Sequence, residues 1–250
     1  MPSQTLILGN RSVTLYRTPR CRPNSPVVYT HFPPHEAAPL ADLLAAHALL
    51  LVAVDEPDWE THFSPWPAPK AFKGSADFGG LADAYLGTLT HEIVPAAEAV
   101  ADIAPQWRGL AGYSLAGLLS VYAPYQTDIF SRTASVSGSL WFDGLADFLQ
   151  HAPPTLPERA YFSVGDREKN SKNPRLACVE TRTQAAQQLM QARGASSIFE
   201  LNPGGHFEHV PARMARAVEW LLASIYRKTV SRRESSIFQV LHLKSKAKAV

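Results

Sequence analysis

The chain is short of the features that mark several protein classes. It has two cysteines in 250 residues, Cys21 and Cys178. Two thiols cannot make a disulfide framework, and neither lies in a zinc-ligand spacing. No run of about 18 apolar residues occurs, so no membrane-spanning helix is expected. The first residues carry neither the basic nor the apolar region of a secretory leader, and the expected location is cytoplasmic. Net charge is also scarce, at +2, and it is unevenly spread. Residues 227–250 hold seven Lys or Arg and one Glu, a charge of +6, which leaves −4 on residues 1–226. A mildly acidic body argues against a nucleic-acid-binding fold. No metal or organic cofactor is expected.

What is present suits a globular enzyme. Hydrophobic residues make up 46% of the chain and charged ones 18%, enough to bury a full core. Twenty prolines predict stiff loops. Thr5–Leu8 and Ser12–Arg17 alternate around Gly9-Asn10 and read as a hairpin. Pro26–Thr30 and the wholly apolar Leu49–Val54 read as strands, the second covered on both faces. A short strand ending at Leu110–Ala111 follows, then strands at Thr133–Ser137, Tyr161–Val164 and Ser197–Leu201. Helical spacing is expected over Glu36–Ala48, from Leu81 with a break at Pro95, and over Leu115–Tyr122, Asp143–Gln150, Pro174–Arg193 and Glu208–Tyr226. Strand and helix alternate from Pro26 onward. The expected fold is α/β, a mostly parallel sheet with helices on both faces and an antiparallel hairpin at its N-terminal edge. One domain is expected over residues 1–226, with 227–250 as a flexible basic tail. The proline-rich stretch Asp55–Gly80 is long for a loop, and such loops are commonly functional.

The most informative residues are Gly112-Tyr113-Ser114-Leu115-Ala116-Gly117, where a strand turns directly into a helix. A serine there must take a strained backbone conformation, which requires small residues two before and two after it. The turn lifts the hydroxyl above the sheet and aims the first helical amides at an oxyanion formed beside it. Ser114 is thus a candidate nucleophile and the Leu115 amide a candidate oxyanion donor. A Gly/Ser turn with Ser114 merely capping a helix is the plainer alternative.

A serine nucleophile needs a base, and the base an orienting carboxylate. Of nine histidines, His206 lies in Asn202-Pro203-Gly204-Gly205-His206-Phe207, between the last strand and the last helix. His209, within the expected helix, should face solvent. Ser163-Val164-Gly165-Asp166-Arg167-Glu168 follows the preceding strand and offers two acids, Glu168 and Asp166. The resulting order of serine, acid and histidine is that of α/β-hydrolases. Either carboxylate could serve, and a Ser–His dyad is a third arrangement.

With these residues in view, the chain resembles the α/β-hydrolase "putative esterase" family, which includes trilactone siderophore esterases and, more distantly, esterase D. The likeness runs from about Pro26 to Ile225. It rests on the Gly112–Gly117 elbow, the Gly165–Glu168 turn followed by Asn173-Pro174, and Gly205-His206-Phe207. Asp58-Trp59, Ser64-Pro65-Trp66 and Phe72-Lys73-Gly74 add to it. The resemblance implies Ser114 as nucleophile, His206 as base and Glu168 or Asp166 as acid. The loop His31-Phe32-Pro33-Pro34 lacks the glycine-rich stretch common in lipases, and its prolines have no N–H to donate. The second oxyanion donor should therefore be the backbone of His31 or Phe32.

The expected activity is hydrolysis of a small-molecule carboxylic ester through an acyl-enzyme. Serine peptidases and thioesterases use the same groups, and a binding module without catalysis would not need them. Tyr113, Trp59, Trp66 and Trp141 are candidate substrate contacts, suited to an aryl group. Four basic residues against two acids between Gly165 and Arg175 suggest attraction for an anionic ester.

Overall fold

The computed structural model describes residues 1, 3–71 and 74–223 and organises them around one eight-stranded sheet. β1 (Ser3–Leu8) and β2 (Arg11–Arg17) form the antiparallel hairpin, turned at Gly9 and Asn10. Then come β3 (Val27–Thr30), β4 (Leu50–Asp55), β5 (Arg108–Tyr113), β6 (Arg132–Val136), β7 (Arg159–Gly165) and β8 (Ser196–Asn202). Their order across the sheet is β1-β2-β4-β3-β5-β6-β7-β8. β2 runs antiparallel to β4, and every pair from β4 to β8 is parallel.

Alternation along the central strands sorts side chains between two cores. Tyr29, Leu50, Val52 and Val54 join Tyr85, Leu89, Ile93 and Leu119 on one face. Val28, Leu51 and Ala53 join Leu40, Leu44, Met214, Val218 and Leu221 on the other. The first face is covered by α2 (Ala82–Thr88), α3 (Val94–Val100) and α4 (Leu115–Tyr122); the second by α1 (Pro34–Leu43) and α7 (Val210–Leu222). α5 (Leu145–His151) and α6 (Val179–Ala192) extend the covering toward β7 and β8. This two-sided burial explains the continuous apolar reading of β4.

Four boundaries depart from the expectation. α1 stops at Leu43, because the chain turns through Leu44 to start β4 seven residues later. The break expected at Pro95 is a π turn at Leu89–Ile93 that leads straight into α3, where Pro95 falls in the first turn and its missing N–H costs least. The helix expected over Pro174–Arg193 is divided at Cys178. α7 begins at Val210 rather than Glu208, because His209 adopts a left-handed φ of 57°. Within Asp55–Gly80 the described residues form a single helical turn at Trp59–His62 and a short pairing of Pro67–Ala68 with Phe78–Gly79. The basic stretch 227–250 lies outside the described residues. Among the described residues no helix is long and apolar enough to cross a membrane.

Candidate active site

β5 delivers the chain to Ser114 at the C-terminal end of the sheet. Ser114 has φ 57° and ψ −122°, a region sparsely populated by residues with a Cβ. Its backbone is held from both sides: its N–H donates to the Val136 carbonyl at 3.2 Å, and its carbonyl accepts from Ser139 N at 3.0 Å and Leu118 N at 3.1 Å. Glycine is required at 112, where a Cβ would lie 1.9 Å from the Ala116 carbonyl oxygen. The tight turn from β5 into α4 depends on that close approach.

His206 sits in the loop between β8 and α7. Its Nε2 lies 3.1 Å from Ser114 Oγ, and its Nδ1 lies 2.8 Å from Glu168 Oε2. Glu168 Oε1 accepts from the Ser137 hydroxyl at 2.5 Å, the Gly165 amide at 2.7 Å and Arg213 Nη2 at 3.2 Å. Burial by itself would raise the Glu168 carboxyl. The hydrogen bond and charge of His206, with the bonds from Ser137 and Gly165, outweigh it and bring the carboxyl down to about 2. Glu168 is therefore an anion at neutral pH. An anion beside Nδ1 places the imidazole proton there, leaving Nε2 to accept from the serine hydroxyl.

The structure separates the two candidate acids. Asp166 turns away from the imidazole; its carboxylate accepts from the Gly204 amide at 2.9 Å and its N–H donates to the Asn202 carbonyl at 2.8 Å. Asp166 thus fastens the loop after β7 to the loop that carries His206. Gly165 permits that contact, since a Cβ there would come within 2.4 Å of the Gly204 carbonyl. Being nearer the strand end aims Asp166 at the neighbouring loop, whereas Glu168 is carried around to the histidine.

Ser137 and Arg213 were not anticipated. Ser137 follows β6 with φ 46° and bonds both Glu168 and Arg213. Arg213 is almost wholly buried; it donates to Glu168, to Ser137, to the Tyr113 hydroxyl at 3.2 Å and to the Gly205 carbonyl at 3.2 Å. The legible signal was position: Arg213, Ala217 and Leu221 fall at four-residue intervals on the apolar stripe of α7. Ser137 offered no signal beyond its place after a strand.

Two clefts open on either side of Ser114 and His206. The larger, about 430 Å³, is lined by Phe32, Leu40, Trp59, Tyr113, Phe207 and Val210, with Glu36 and Pro211 at its walls. The smaller, about 190 Å³, is lined by Ser139, Trp141, Glu168, Ser171, Leu176 and Val179. Phe207 borders both and is 86% exposed. Of the four expected substrate contacts, Trp59 and Tyr113 line the larger cleft and Trp141 the smaller. Tyr113 also ties the site together, since its hydroxyl donates to the His206 carbonyl. Trp66 lines neither cleft. It packs against Tyr122, Phe142 and Phe148 and donates to the Asp143 carbonyl at 2.9 Å, anchoring the long loop to the domain.

Leu115 is the first residue of α4, so its amide belongs to the first turn, which has no carbonyl four residues earlier to bond. Phe32 borders the same cleft as Ser114. The His31 side chain turns inward instead, fully buried, with Nε2 2.7 Å from the Tyr85 hydroxyl. His209 is exposed, as expected. Among the described residues no group of three or more His, Cys, Asp or Glu is arranged to hold a metal ion.

Residues 30–210 match the model of the family described as "Putative esterase". An uncharacterised protein of Bacillus subtilis (strain 168), YbbA, is 27% identical over 233 residues, covering 85% of this chain and 93% of its own. Among solved structures, an IroE-like serine hydrolase from Shewanella oneidensis superposes with a TM-score of 0.76 at 15% identity, over 88% of this chain and 80% of that one. The siderophore hydrolase EstA from Aspergillus nidulans does so with a TM-score of 0.70 at 14% identity, over 88% and 93%.

Proposed function

Because this chain belongs to the "Putative esterase" family and is a hydrolase of ester bonds, we propose that it works by acyl transfer through Ser114, His206 and Glu168. The observation that carries the reading is the unbroken line from Ser114 Oγ to His206 Nε2 and from Nδ1 to Glu168, set on a strained turn between two clefts.

In the first step His206 Nε2 takes the hydroxyl proton as Ser114 Oγ attacks the ester carbonyl. The oxyanion draws on the Leu115 amide and on the backbone of the His31–Phe32 segment. Glu168 fixes the ring and stabilises the imidazolium; it does not take the proton. His206 then protonates the departing alcohol, and the acyl group remains on Ser114. Water, deprotonated by the same nitrogen, releases the acid and restores the hydroxyl. Arg213 and Ser137 hold Glu168 in its bonded orientation throughout.

The first test is labelling with a fluorophosphonate probe. The wild type should be labelled and Ser114→Ala should not; equal labelling of both refutes the assignment. Aryl, alkyl and thioesters then separate esterase from thioesterase specificity. Two neighbours carry siderophore hydrolase or IroE-like in their names, so a ferric trilactone belongs in the same panel. We also place the end of the hydrolase near Tyr226. Deleting residues 228–250 should leave ester hydrolysis intact, and loss of activity would move that boundary.

A further inference from the structure

The charge around the two clefts narrows the substrate class, given that Ser114 is the nucleophile. Three of the four basic residues between Gly165 and Arg175 are engaged rather than offered. Arg167 pairs with Glu208 at 2.6 Å, Lys169 with Glu180 at 3.1 Å and Arg175 with Asp143 at 2.9 Å. Lys172 is exposed and borders neither cleft. Arg213, the cation nearest the reacting groups, is buried against Glu168. Among the described residues no Lys or Arg lines either cleft.

The acidic side is represented in both. Glu36 stands at the wall of the larger cleft, about half exposed, and among the described residues its one ion-pair partner is His35 Nε2 at 3.8 Å. Glu168 borders the smaller cleft with its charge already committed to His206 and Arg213. The remaining lining of the larger cleft, apart from Ser114 and His206, is aromatic or aliphatic. Phe207 deepens that character: a phenylalanine 86% exposed between two clefts is an apolar surface that the described residues leave uncovered.

We infer that the larger cleft receives an uncharged apolar or aryl portion of the ester, lying across Phe207, and that esters ending in a carboxylate are poor substrates. Apolar burial favours the neutral chain. Among the described residues a substrate carboxylate would leave water without gaining a cation, and it would face Glu36. The anionic ester suggested by the run of basic residues after β7 is not what the clefts are built to hold.

The test is a set of 4-nitrophenyl esters of matched length whose acyl chains end in methyl, phenyl, carboxylate or trimethylammonium. The methyl and phenyl esters should exceed the carboxylate ester in kcat/KM by roughly tenfold or more, from the lost burial together with the repulsion. Glu36→Gln should raise the carboxylate-to-methyl ratio by about threefold to tenfold, and the gain should shrink in high salt. Phe207→Ala should raise KM for the phenyl ester more than for the methyl ester. If the carboxylate ester is hydrolysed as well as the methyl ester while Ser114 still takes the fluorophosphonate, this inference is wrong and the serine esterase reading stands. If Ser114 is not labelled and no ester is cleaved, that reading fails and this inference falls with it.

Discussion

Two buried carboxylates in this protein have nearly the same company. Glu168 meets His206 Nδ1 at 2.8 Å, a backbone amide at 2.7 Å and the guanidinium of Arg213. Glu56 meets His62 Nδ1 at 2.8 Å, the Asp58 amide at 3.1 Å and the guanidinium of Arg11. In both, burial works to raise the carboxyl and the hydrogen bonds prevail to lower it. The difference lies beyond the imidazole. His206 presents Nε2 to a serine on a strained turn between two clefts. The His62 ring lies stacked near Tyr85, with centroids 5.8 Å apart and planes 23° from parallel, and borders neither cleft. A carboxylate, an imidazole and a guanidinium are therefore a general means of joining loops to a sheet. On the proposed mechanism, what converts one such group into a reaction centre is the nucleophile and the space in front of it.

The comparison is broken most directly by removing the two carboxylates in turn. Ser114→Ala and Glu168→Gln should each lower kcat by roughly 10³- to 10⁴-fold or more, the second by losing the acceptor that fixes the His206 tautomer. Glu56→Gln should leave kcat/KM within a few-fold. Instead it should destabilise the fold by about 3–5 kcal/mol, because Arg11 is left half-paired in a buried setting. For a domain of this size that corresponds to a fall in Tm of roughly 10 °C. Scanning calorimetry beside ester kinetics decides it. If Glu56→Gln loses activity as severely as Glu168→Gln while remaining folded, the two clusters are not the contrasting pair described.

Acid sharpens the same contrast. Glu168 ionises near pH 2 in the folded protein and near the ordinary carboxylate value of 4.5 when unfolded. Its stabilisation is therefore complete above about pH 5 and is lost as pH falls toward 2. The stability gap between wild type and Glu168→Gln should accordingly narrow over that interval in urea titrations. A gap that stays constant from pH 6 to pH 3 would mean that the carboxyl is not held as an anion by its neighbours.

Much of this site was legible in the sequence, for reasons that can be named. Ser114 and Gly112 were readable because the turn permits only a narrow choice of residues, and the required glycine leaves a trace. His206 was readable from its place between the last strand and the last helix. The choice between Glu168 and Asp166 was not, because it depends on which loop each side chain meets across the sheet, and spacing along one chain does not report that. Arg213 and Ser137 were missed for the same reason: the side chains they bond lie 31 to 100 residues away. Trp66 was assigned to substrate because an aromatic loop residue can line a cleft or anchor the loop, and only the packing against Phe142 and Phe148 separates the two. Charge misled most. Counting basic residues after β7 also missed the acids that meet three of them, from the turn before α5, from α6 and from the His206 loop.

The smallest effect concerns His31, which links the two regions through Tyr85. Burial pushes its imidazolium down to about pH 3, against the opposing pull of the Glu56 charge, so the ring is neutral in the folded protein at any ordinary pH. Its Nε2 meets the Tyr85 hydroxyl at 2.7 Å and its ring packs on Phe63 at 4.7 Å. The unfolded chain, with an imidazole near 6.5, takes up a proton between pH 6.5 and 3 that the folded chain refuses. Stability must then fall as pH drops through that window, by about 1.4 kcal/mol per pH unit for this one group. His31→Phe removes the titrating group and gives up the Tyr85 bond. The variant should lose about 1 kcal/mol at pH 7 and show a shallower decline between pH 6 and 4. Equal slopes in the two proteins would mean that His31 takes up its proton as readily in the fold as in the unfolded chain, and that burial does not hold the ring neutral.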